Sequence, residues 1–201
     1  MTLGRTEAQV YARPVVATPQ LEPWRPTLET YLRLGELGIF DDERVELLDG
    51  VITPMSPKGP AHEHLKAYLT RRVIECLDAS WQLRIEGTLP MAEGWAPEPD
   101  LALARRVERV GGKRPHPTRA EWVCEIADST LRRDREVKRI GYARAGIPEF
   151  WLLDVNAQSV EVFRDPAGDD YRERTKVSTG ILESASVQGL AVDLGELWEE
   201  L

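Results

Sequence analysis

Residues 122–155 read WVCEIADSTLRRDREVKRIGYARAGIPEFWLLDV. The opening run, Trp122 to Ala127, is apolar apart from Glu125, the pattern of a strand buried on both faces. Leu131 to Ala145 reads as a helix that Gly146 and Pro148 stop, and Phe150 to Val155 as another buried strand. The spacing therefore predicts an α/β or α+β domain in which helices flank a mixed sheet.

Upstream, Asp100 to Ala104 repeats the apolar pattern and predicts a second central strand, and Trp81 to Leu89 predicts a further one. In RVELLDGVITPM, Arg44 to Met55, the Asp49-Gly50 pair supplies the positive φ angles of a tight hairpin turn. After the loop from Pro57 to Pro60, Ala61 to Leu77 places Leu65, Tyr68, Leu69, Val73, Ile74 and Leu77 on one helical face. Thr27 reads as the N-cap of a short helix ending near Gly35 to Gly38.

Residues 1–26, with Pro14, Pro19, Pro23 and Pro26, read as an extended arm, and residues 27–201 as a single domain. Downstream, SVEVFRD, YRERTKVS and ILESASV predict additional antiparallel strands, and Leu194 to Leu201 a short terminal helix.

The 201 residues are enough for one sizeable core. No run approaches the roughly 20 apolar residues that cross a bilayer, and the opening MTLGRTEAQVYARP lacks a secretory apolar stretch, so a cytoplasmic protein with no membrane is expected. Cys76 and Cys124 sit in apolar patterns and read as buried reduced thiols.

A net charge of −8 argues against a protein that coats nucleic acid non-specifically. Basic residues nevertheless concentrate locally: Arg105, Arg106, Arg109, Lys113, Arg114 and Arg119 in and around the GGKRPHPTR loop, then Arg132, Arg133, Arg135, Lys138, Arg139 and Arg144. They read either as a basic surface or as ordinary solvated charges.

Two carboxylates stand in conspicuous places. Asp100 follows Pro97-Glu98-Pro99 at the head of an apolar strand, and Glu125 lies inside one, where an uncompensated charge is costly. Lys138 stands four residues after Asp134 and four before Tyr142, so the three share a helix face. Carboxylates that hold a hard cation, with a nearby amine, suit phosphodiester hydrolysis. The plainer readings are a turn aspartate at Asp100 and an exposed helix pair at Asp134 and Lys138.

The pieces RVELLDGVI, MSPKGPAH, PEPDLAL, EIADSTLRRDREVKRIGYARAGIPEFWLLD and SVEVFRD, in this order between Thr27 and Arg164, closely resemble the Uma-two family of restriction-endonuclease-like proteins. The resemblance implies a fold similar to the PD-(D/E)XK nucleases, with Asp100 from the PD motif and Glu125 from the next strand. The usual motif lysine would fall at Ala127, and the resemblance implies that Lys138 of the D-x-x-x-K-x-x-x-Y pattern replaces it. Glu46 matches the family's early glutamate and His62 a histidine at the head of the first long helix. These two read equally as a strand-surface glutamate and a helix-packing histidine. His64 and His116 have no such match, and the His62-x-His64 spacing is weak evidence for a metal site.

The expectation is a magnesium-dependent or manganese-dependent endonuclease acting on DNA. Glu46, Asp100, Glu125 and Lys138 are its catalytic set, and Asp100, Glu125 and the Ile126 carbonyl its metal ligands. His62, Asp134 and Tyr142 support the site. A homodimer is expected because duplex cleavage uses two active sites, and no organic cofactor is expected. The rivals are a catalytically inactive nuclease scaffold that binds nucleic acid, and a protein-interaction module.

Overall fold

A computed structural model describes residues 22–92, 94–108 and 117–201. Most of the expected arm, most of the GGKRPHPTR loop, and Arg109, Lys113, Arg114 and His116 lie outside the described residues. The chain forms α1 (Leu28–Glu36), a hairpin of β1 (Val45–Leu48) and β2 (Val51–Pro54), then α2 (Pro60–Cys76), β3 (Trp81–Ile85), β4 (Leu101–Arg105) and β5 (Trp122–Ala127). A continuous helical segment follows, here α3, made of Leu131–Arg133, a π-helical turn at Asp134–Lys138, and Arg139–Arg144. Then come β6 (Glu149–Asp154), β7 (Ser159–Ala167), β8 (Asp170–Val177), β9 (Ile181–Glu183), β10 (Ala191–Asp193) and α4 (Leu194–Trp198).

The main sheet has six strands in the order β3-β4-β5-β6-β7-β8. β5 and β6 are parallel, joined by the crossover helix that a parallel pair requires, and every other neighbouring pair in this sheet is antiparallel. The apolar runs that predicted central strands fill β4, β5 and β6, buried along nearly their whole length. Of the C-terminal strands, β7 and β8 extend this sheet, whereas β9 and β10 pair with each other as a separate ribbon.

Alternation along each strand sorts the core into two layers. Trp122, Cys124 and Ile126 of β5 join Leu65, Tyr68, Leu69 and Val73 of α2. Val123 and Ala127 join Tyr142 and Ala143 of α3, with Phe150, Leu152 and Phe163 from the neighbouring strands. Glu125 shares the parity of the second layer, so its carboxylate is directed toward α3.

Several local expectations need adjusting. Ile74 is 57% exposed and leaves the buried face of α2, since it is rotated about 100° around the helix from the buried Val73. The third strand ends at Ile85 because Glu86 takes a φ of 49°, although its N–H still reaches the Asp100 carbonyl at 3.1 Å. Asp100 itself immediately precedes β4. The Asp49-Gly50 turn forms as expected, with φ of 50° and 73° at its two corner residues, and Thr27 caps α1 by accepting from the Thr30 N–H. Both cysteines are free thiols, Cys124 buried and Cys76 partly so.

Candidate active site

The antiparallel register that pairs Leu101 with Cys124 brings Asp100, one residue before β4, beside Glu125. The Ile126 N–H locks the arrangement by donating to Asp100 Oδ2 at 2.7 Å. Glu46 arrives from the hairpin. Leu47 and Ala96 exchange backbone hydrogen bonds of 3.2 and 2.9 Å, which docks β1 beside the segment leading into Asp100. The Glu98 N–H then reaches Glu46 Oε2 at 3.3 Å.

The helix α3 supplies the amine. Asp134 and Lys138 are the two ends of its π-helical turn, and both side chains are buried, so they are not an exposed helix pair. Wider π-helical turns recur at functional sites because they re-aim side chains that an α-helix would place elsewhere. Lys138 Nζ lies 2.9 Å from Glu46 Oε2, 3.0 Å from Glu125 Oε1 and 3.9 Å from Asp134 Oδ1. Tyr142, one turn on, donates its hydroxyl to the same Glu125 oxygen at 2.5 Å. Thr130 donates to Asp134 Oδ2 at 2.5 Å. Glu46 is wholly buried rather than a strand-surface residue, and its Oε1 and Asp134 Oδ1 have no hydrogen-bond partner.

Three carboxylates thus compete for one ammonium in a place with little water. Burial, and then the charges of Asp134, Asp100 and Glu46, push the Glu125 carboxyl up to about 8 against the pull of Lys138. Burial likewise raises Asp134. Lys138 moves up as well: burial opposes its charge, but Glu125, Glu46 and Asp134 outweigh that and hold it firmly as an ammonium. Tyr142 is raised well above its ordinary value by burial and by Glu125.

Asp100 is treated differently. Its Oδ1 lies 2.9 Å from His62 Nε2 and accepts from Lys58 Nζ at 2.5 Å. Burial would raise this carboxyl, yet the His62 and Lys58 interactions prevail and hold it well below the usual carboxylate range. His62 therefore does more than pack a helix terminus, since its ring nitrogen binds the PD-motif aspartate. His64 instead lies 3.3 Å from the Glu200 carbonyl and does not join the site.

Asp100, Glu125, Ile126, Asp134, Lys138 and His62 line one cleft, whose walls also include Lys58, Arg133 and Thr130. Sequence reasoning placed none of these last three residues in the site, and read Arg133 only as one of the clustered basic residues. Lys58 sits in an irregular loop, and Arg133 and Thr130 occupy ordinary helix-start positions, so periodicity carries no signal for them.

Among the described residues, no group of three or more His, Cys, Asp or Glu side chains is arranged to hold a metal ion. Two carboxylates on adjacent strands still suit magnesium, which commonly uses one or two carboxylates and fills its other positions with water and substrate phosphate. The uncompensated acidity around Glu125 suits the same kind of ion.

Several described residues of the basic stretch have partners within the chain. Arg105 stacks over Trp81, Arg132 pairs with Glu136, Arg135 with Glu161, Arg139 with Asp170, and Arg144 with Asp169. The described helices include none long and apolar enough to cross a membrane.

The chain is similar in structure to a protein from Anabaena variabilis described as "a putative nuclease belonging to DUF820", with a TM-score of 0.71 and 17% sequence identity over 87% of this chain and 98% of that one. At that identity the likeness is one of fold. No curated protein matches the chain. The family profile described as "Putative restriction endonuclease" matches residues 28–195, which include every element from α1 into α4 and all of the cleft residues named above, and the chain therefore belongs to the Uma2 family.

Proposed function

We propose that the protein is a metal-dependent endonuclease that hydrolyses phosphodiester bonds of DNA. Asp100 and Glu125, with the backbone carbonyl of Ile126, are the residues that would hold magnesium or manganese. The observation that carries this reading is the meeting of Asp100, Glu125 and Lys138, from three separate stretches of chain, in one cleft.

A divalent cation on those oxygens would offset the charge that develops on the phosphate and activate water for attack. The protein's own groups divide the remaining work. Lys138 is held as an ammonium, so its contribution is positive charge toward the phosphate rather than proton abstraction. Glu46 and Asp134 position that ammonium, and Tyr142 fixes the Glu125 carboxylate through its hydroxyl. His62 and the Ile126 N–H fix the two oxygens of Asp100.

One observation favours a second reading. Asp100 Oδ1 is already covered by Lys58 and His62, which suits a nuclease scaffold that binds nucleic acid without cutting it. Incubation of supercoiled plasmid with the protein, in magnesium or manganese and in chelator, decides between the two. Metal-dependent nicking that Asp100→Asn and Lys138→Met both abolish, with folding retained, is the expected result. Undiminished nicking by both variants would reject the assignment, and DNA binding without any nicking would favour the scaffold. A parallel RNA substrate tests the preference for DNA.

A further inference from the structure

Lys58 has no catalytic role in the reading above, yet it makes the shortest polar contact to Asp100. It lies in the irregular loop between β2 and α2, flanked by Pro57 and Gly59, and its side chain is 15% exposed. Its Nζ bridges Asp100 Oδ1 at 2.5 Å and Glu86 Oε1 at 2.6 Å. Asp100 Oδ1 carries both Lys58 and His62 while Oδ2 accepts from the Ile126 N–H, so a cation that bonds to Oδ1 meets the Lys58 ammonium there.

The two contacts of Lys58 differ in how replaceable they are. Glu86 is also bound by Lys66, which in turn reaches Glu63 at 2.8 Å, so Glu86 keeps a counter-ion if Lys58 turns away. Asp100 keeps His62 and the Ile126 N–H. Lysine is a compact charge on a flexible four-carbon stem, suited to leaving one carboxylate while remaining with another. A divalent ion and an ammonium cannot share one carboxylate oxygen at contact distance, because their charges repel.

We infer that Lys58 is an internal counter-ion that occupies the cation position on Asp100, and that a divalent metal binds by displacing it toward Glu86. The inference rests on the reading of Asp100 as a metal ligand. It makes Lys58 a residue that sets the metal concentration at which the site fills, and so a regulator of that site.

Titration calorimetry with manganese chloride on the full chain tests this. Lys58→Met is expected to tighten manganese binding by at least about five-fold, the low end of typical couplings between exclusive ligands. Lys58→Arg, which keeps the charge, is expected to leave affinity within about two-fold. Lys66→Met removes an equal charge that touches Glu86 but not Asp100, and it separates competition from a general field effect, with a change below about two-fold expected.

Circular dichroism reports folding, and Lys58→Gln, which keeps a polar group without charge, replaces Lys58→Met if the latter does not fold. Unchanged or weaker binding in the Lys58 variant, or equal tightening in the Lys66 variant, overturns the inference while wild-type binding leaves the metal reading intact. Absence of binding in both the wild type and the Lys58 variant overturns the metal reading and the inference together.

Discussion

Glu125 and Glu149 stand on adjacent parallel strands, both buried, and the fold treats them in opposite ways. Glu149 pairs in register with Trp122, three residues before Glu125 on the same strand. Its two oxygens accept from Trp151 Nε1, Arg164 Nε and Nη2, the Ser184 and Ser186 hydroxyls, and the Ala185 and Ser186 N–H groups. Among the described residues, Glu125 accepts side-chain hydrogen bonds from Lys138 and Tyr142, both on Oε1. A carboxylate so fully surrounded by donors is a fastener, whereas Glu125 is the one proposed above as a metal ligand.

The Glu149 cluster is expected to govern acid stability. Burial would raise its carboxyl, but the bonds from Ser184, Trp151, Ser186 and Arg164 outweigh it and hold the pKa below the ordinary 4.5. A depressed carboxylate contributes stability that is complete above 4.5 and is lost as pH falls through the folded value. Glu149→Gln leaves the Arg164 charge without its partner and is expected to cost about 3 to 5 kcal/mol at neutral pH. Urea unfolding over a pH series should show the gap between wild type and variant narrowing below 4.5. A gap independent of pH would count against this assignment.

Gly141 is expected to tolerate no side chain. A Cβ at this position would lie 2.3 Å from the ring of Trp95, which packs closely on α3 at this glycine. The same segment docks the hairpin, through the Gly50 N–H to the Gly94 carbonyl at 2.9 Å and the exchange between Leu47 and Ala96. Gly141→Ala must therefore displace either the tryptophan or the helix, and overpacking of this kind costs about 1 to 3 kcal/mol. Urea denaturation should report that loss, whereas a stability equal to wild type would show that Trp95 moves freely.

The Trp95 contact also marks the limit of what could be read from the chain alone. The apolar runs of β4, β5 and β6 and the Asp49-Gly50 turn were legible because burial on two faces and left-handed corners each demand particular residues. The shared face of Asp134, Lys138 and Tyr142 was legible from helical spacing, although the π-helical turn between the first two was not. Lys138, at its end, meets Glu46 and Glu125, partners 92 and 13 residues distant in the chain, which helical spacing does not encode. Lys58 was illegible for a related reason. Its role follows from where an irregular loop comes to rest, and no periodicity encodes that.

Lys138 should separate stability from chemistry. Its removal in Lys138→Met leaves Glu46, Glu125 and Asp134 buried without their shared ammonium, and breaking such a group typically costs about 3 to 5 kcal/mol. Adding Glu46→Gln removes one of the stranded charges and is expected to restore part of that loss in urea denaturation. The same double variant is not expected to recover cleavage, because a group aimed at developing negative charge is worth about 100-fold or more in rate and the double variant restores no positive charge at position 138. Plasmid nicking and unfolding, measured on the same three proteins, should therefore diverge. Recovery of nicking in step with stability would mean that Lys138 only holds the carboxylates apart, and that the charge facing the phosphate comes from another residue of the cleft.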